Sequence, residues 1–97
     1  MMLQDLILFH RGVPVAARLL NLSTGGALIE TTEHLTVAAP LIIVIFLPDH
    51  TPLTLAARVR FRREGIGAGI KFTHLTPQQR RRITLLIDAS KQSEARA

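Results

Sequence analysis

Apolar and polar positions alternate along this chain in short runs broken by turn-forming residues, and only the last quarter changes period. Leu6 to His10 is an apolar, β-prone run, and Arg11-Gly12 after it reads as a turn. Val13 to Leu20 forms a second strand, with Pro14 near its start, where a missing amide hydrogen is tolerated. A polar loop from Asn21 to Gly26 leads into a strand from Ala27 to Thr31, and Glu33 to Pro40 is a connection of polar and small residues. Leu41 to Leu47 is unbroken apolar sequence bounded by Pro40 and Pro48, which predicts a strand covered on both faces. Pro48 to Pro52 is a turn. In the long strand from Leu53 to Arg63, Val59 and Phe61 alternate with Arg58, Arg60 and Arg62, which predicts one apolar and one basic face. Glu64 to Gly67 then makes a hairpin connection to a strand from Ala68 to Thr73.

The period changes after Leu75. Thr76 is the expected N-cap of a helix, Pro77 suits the first helical position, and Gln79 completes a capping box. Ile83, Leu86 and Ile87 fall on one stripe. The outer face of the Leu41 to Leu47 strand is its expected partner. The helix is expected over about residues 76–90, with 91–97 as a polar, frayed tail. Six short strands and one helix predict an all-β fold: a six-stranded antiparallel barrel with a C-terminal α-helix, in a single domain over residues 1–90.

Composition narrows the function. The 97 residues contain no cysteine, which excludes disulfides, thiolate metal sites and a cysteine nucleophile. Twelve Lys and Arg against seven Asp and Glu give a formal charge of +5, which favours anionic partners. Four Phe, with no Trp or Tyr, make a poor stacking platform for single-stranded nucleic acid. The longest apolar run, Leu41 to Leu47, falls far short of the ~20 residues a membrane-spanning helix needs. No basic segment precedes an apolar block at the N-terminus, so a cytoplasmic protein is expected.

The stretch Asn21-Leu-Ser-Thr-Gly-Gly-Ala-Leu-Ile-Glu30 is the main candidate site. Asn21 and Ser23 have short polar side chains that bond backbone or ligand groups. Gly25 and Gly26 admit positive φ and let another backbone or a planar ligand approach closely. A hydrogen-bonding loop thus sits directly on a strand, although N-x-S-x-x-G alone also describes a plain hairpin turn.

The order of signals carries more. N-x-S-x-x-G precedes a small apolar strand, an apolar strand ending in Leu47-Pro48, a basic strand, Gly65-Ile-Gly-Ala-Gly-Ile-Lys-Phe72, and a Thr76-Pro77 helix start with Arg80-Arg81-Arg82. This series resembles the PilZ domain, a bacterial reader of cyclic di-GMP, over roughly residues 5–90. The resemblance implies a six-stranded barrel with a C-terminal helix. It implies ligand contacts by Asn21 and Ser23, with Gly26 keeping the loop close. The family also uses an R-x-x-x-R motif before the first strand. Here the arginines before Asn21 are Arg11 and Arg18, seven apart. A guanidinium reads guanine O6 and N7 with a bidentate fork and neutralises phosphate. Lacking two such groups costs roughly 3–6 kcal/mol, or about two to four decades of affinity. The expectation is a signalling adaptor with weak or absent direct binding of cyclic di-GMP, acting through a protein partner or neighbouring domain. No cofactor is expected.

Other groups add alternatives. Arg58, Arg60 and Arg62 read either as an anion- or partner-facing ladder or as a solvated exterior; the first would suit a basic nucleic-acid-binding barrel. Arg80 to Arg82 reads as a solvated helix face in preference to a contact for phosphate or an acidic surface. The glycines from Gly65 to Gly69 lack the βαβ context of a dinucleotide fingerprint. His10, His34, His50 and His74 share no ligand spacing, so no metal is expected. No G-x-S-x-G elbow is present, so the chain is not expected to be an enzyme. Homo-oligomerisation through the outer face of Leu41 to Leu47 stays open.

Overall fold

The computed structural model describes residues 4–96. Six antiparallel strands close into a barrel: β1 (Gln4–His10), β2 (Val13–Leu22), β3 (Gly26–Glu30), β4 (Pro40–Phe46), β5 (Pro52–Arg63) and β6 (Gly67–Phe72). Around the barrel they run β1-β2-β3-β6-β5-β4, and β4 returns to pair with β1, Leu6 opposite Ile45 and Leu8 opposite Ile43. Helix α1 (Pro77–Arg96) follows. Closure removes the exposed strand edge, so blunting an edge is no reason for the arginines of β5.

The interior is built by alternation. Leu6 and Leu8 of β1, Ile43 and Ile45 of β4, Leu53 and Leu55 of β5 and Ile70 of β6 are all buried. His10 ends the inward row of β1, buried, with Nδ1 3.6 Å from Glu33 Oε1. The β3–β4 connection contributes Leu35, 1% exposed, to the same core. It was expected to be merely polar and small. Its backbone is tied down where Ala38 N donates to Val59 O and Val59 N donates to Ala39 O, at 2.8 and 3.1 Å.

The capping box forms as the sequence predicts. Thr76 N donates to Gln79 Oε1 at 2.9 Å, and Gln79 N donates to Thr76 Oγ1 at 3.1 Å. Gln79 Nε2 also donates to Thr54 O, which pins the first turn to β5. The helix runs on to Arg96 rather than ending near residue 90. Lys, Gln, Glu, Ala and Arg, which dominate its last turns, all favour helix.

Two expectations about β4 are corrected. Leu41, Ile43 and Ile45 are buried, but Ile42 and Phe46 are each 41% exposed, so the strand is covered on one face only. The helix does not lie on that outer face. Ile83 and Leu86 instead join the cluster that fills the barrel, and α1 lies against β5. A stripe of three apolar residues is too narrow to cover a sheet, yet enough to close one end of a barrel.

Candidate functional site

Two β-bulges, one in β2 and one in β5, shape the outer surface between them. In β2 the register slips between Leu19 and Asn21, which leaves Leu20 unpaired. Leu19 faces inward and is buried, so simple alternation would turn Asn21 inward too. The extra residue turns Asn21 outward, opposite Leu28 of β3. In β5 the register slips between Val59 and Phe61, which leaves Arg60 unpaired. Val59 is buried opposite Ile70, whereas Phe61 faces outward opposite Gly69 and is 42% exposed. Leu28 is itself paired with Gly69. One row therefore runs across the outside of four strands: Asn21, Leu28, Gly69, Phe61.

That row floors a groove of about 380 Å³. The hairpin from β2 to β3 makes one wall with Asn21, Ser23, Gly25 and Gly26; Arg60 and Phe61 make the other, and Lys71 of β6 lies beside Gly26. The lining contains two cations and no carboxylate. Among the described residues, neither Arg60 nor Lys71 takes part in an ion pair.

The loop is shorter than expected, because Asn21, Leu22 and Gly26 belong to the strands. Ser23 organises what remains. Its Oγ accepts from Gly25 N at 3.3 Å and Gly26 N at 3.2 Å and donates to Gly26 O at 3.2 Å, while Ser23 N donates to Gly26 O at 2.9 Å. Asn21 Oδ1 accepts from Leu22 N at 2.9 Å, and Asn21 lines the groove. Neither Gly25 nor Gly26 has positive φ. Gly26 is required for close approach instead, since a Cβ there would sit 2.2 Å from Ile70 O. These contacts give Ser23 a structural role within its turn and no nucleophile's partner; its bonded neighbours are all backbone atoms of the loop.

The arginine ladder is corrected by the β5 bulge. Arg58 faces outward beside Lys71, but its Nη1 donates to Ala38 O at 3.0 Å, away from the groove. Arg60 is the bulged residue and lines the groove. Arg62 falls opposite buried Ala68 and meets His34, with Nη1 donating to Nδ1 at 2.9 Å. Three arginines thus go three ways. Sequence reasoning also missed Phe61, Gly69 and Lys71. The available signal was Gly69, because a glycine inside a strand marks a bulge or a close approach. A Cβ there would meet the Phe61 ring at 2.3 Å, so the ring lies directly on the glycine.

Among the described residues no cluster of His, Asp and Glu is placed to hold a metal ion, and no helix is long and apolar enough to cross a membrane. The closed barrel with a single C-terminal helix is the PilZ architecture. It resembles the crystal structure of the PilZ domain of CeSA from a cellulose-synthesizing bacterium, with a TM-score of 0.71 and 21% identity over 92% of this chain and 94% of that one. The PilZ domain family model matches residues 3–89, and the chain belongs to that family. Its members are binding and adaptor modules of cyclic di-GMP signalling rather than enzymes. No curated protein matches this chain.

Proposed function

We propose that this chain is a cytoplasmic PilZ adaptor whose own hold on cyclic di-GMP is weak and whose output passes through a protein partner. One observation carries the reading. The Asn21–Gly26 turn is intact, but the arginines before it, Arg11 and Arg18, are seven apart and neither lines the groove. Arg18 faces Asp5 and Glu30, at 4.0 and 3.9 Å. Arg11 sits in the β1–β2 turn with φ 54°. Neither of these arginines therefore reaches the groove.

The opposite wall supports a partner. On the outside of the β1–β4 pair, Ile7 lies opposite Val44 and Phe9 opposite Ile42, flanked by Pro14 and Ala16 of β2 and by Ala56 of β5. Ile7, Ile42 and Phe46 are each about two-fifths exposed, at 37%, 41% and 41%. An apolar exterior of this kind suits contact with another protein surface.

An NMR titration with cyclic di-GMP tests the reading. Amide shifts centred on Asn21, Ser23 and Gly26 that saturate only near millimolar ligand are the expected result. Saturation at micromolar ligand would show a competent reader and contradict it.

A further inference from the structure

We propose that Phe61 is a stacking platform for the base of a guanine nucleotide and that Arg60 and Lys71 hold its phosphate. The inference rests on the reading of the groove as a nucleotide site. It adds that the barrel wall itself, through β5 and β6, supplies cations to the groove.

The β5 bulge creates the arrangement. Without the extra residue Phe61 would follow Val59 into the core; with it, the ring lies over Gly69 at one end of the groove. A side chain at position 69 would lift the ring, so glycine and aromatic act as a pair. The ring is 42% exposed, and a bound base would cover it. The same bulge leaves Arg60 without a cross-strand partner and directs it to the groove. Lys71 stands on the outer face of β6, next to Gly26, at the loop end. A planar group on Phe61 thus lies on the row that leads to Asn21, with Arg60 and Lys71 both lining the same groove. Arg63 lies over the same ring with Cζ 5.8 Å from its centroid, a loose, exposed contact that a base can displace or pack beneath. The volume, about 380 Å³, is at the small end of small-molecule sites, which suits one base with its sugar and phosphate better than a whole dinucleotide.

The test uses the full chain with GMP and with cyclic di-GMP as separate probes, each followed by NMR from both sides. Stacking on Phe61 is expected to move the purine H8 of either probe upfield and to shift the amides of Gly69 and Lys71. Phe61→Leu keeps an apolar cover on Gly69 but removes the ring, and should weaken binding by about 5- to 100-fold. Phe61→Trp should bind as well as the parent or better. Arg60→Gln and Lys71→Gln should each weaken binding and flatten its salt dependence, whereas Arg81→Ala on α1 should do neither. Thermal midpoints of all variants report folding separately. No response to either probe at about 10 mM would overturn the proposal and leave the partner-borne function standing. Binding that is lost in Ser23→Ala but unchanged in Phe61→Leu would overturn it while keeping the loop as a ligand site.

Discussion

Ser23 and its two glycine neighbours show how little separates a turn from a site. The Ser23 hydroxyl meets three backbone groups within its own loop, so its first task is to hold the hairpin closed. The two glycines differ sharply. Gly25 has open space where a Cβ would go, and Gly26 has the carbonyl of Ile70. Gly25→Ala should therefore change stability by less than about 0.5 kcal/mol. Gly26→Ala must push β3 off β6 and should cost roughly 2 kcal/mol, a fall of about 10 °C in thermal midpoint. Paired calorimetric melts check this; equal midpoints would place the close approach elsewhere. The N-x-S-x-x-G spacing announced that these positions matter, but not that the reason at Gly26 is a neighbouring backbone rather than a positive φ. Contact with a strand distant in sequence leaves no local mark.

At the level of strands and helix, what could be read depended on whether one local rule governed each segment. The helix start was legible because the capping box is a four-residue signal, and both of its reciprocal bonds form. Thr76→Ala removes one of them and should cost about 1 kcal/mol, measurable by denaturant titration. Gln79 also reaches Thr54, so Gln79→Ala should cost more than the box alone accounts for. All six strands were legible from alternation and turn formers. The bulges were not. Each inserts a single residue, Leu20 or Arg60, and reverses the facing of everything beyond it. The alternation of Val59 and Phe61 with arginines reads as a regular two-faced strand, with Phe61 beside Val59 on the apolar face and the arginines on one ladder. The continuous apolar run of β4 misled in a different way. Such a run usually means burial on both faces, yet here the outer face is left open because the helix closes the barrel end.

Over the molecule as a whole, chemistry is divided between opposite walls. The groove, with Arg60 and Lys71, runs across β2, β3, β6 and β5, centred on the β3–β6 pair, and the opposite β1–β4 pair is apolar and uncharged over Ile7, Phe9, Ile42 and Val44. A closed barrel keeps these walls at fixed positions, so a ligand on one and a protein on the other can be held together without competing for surface. The net charge of +5 told of anionic partners without saying where, because Arg11 and Arg18 lie away from the groove and only the bulge brings Arg60 into it. The groove therefore stands or falls with the outward facing of Phe61. The most direct measurement is a carbon-edited NOESY spectrum of the unliganded protein. Cross-peaks from the Phe61 ring to the Gly69 Hα protons, with those protons moved upfield by the ring current, are expected. Cross-peaks from that ring to the methyl groups of Ile43 or Ile83 would put Phe61 in the core and contradict the account.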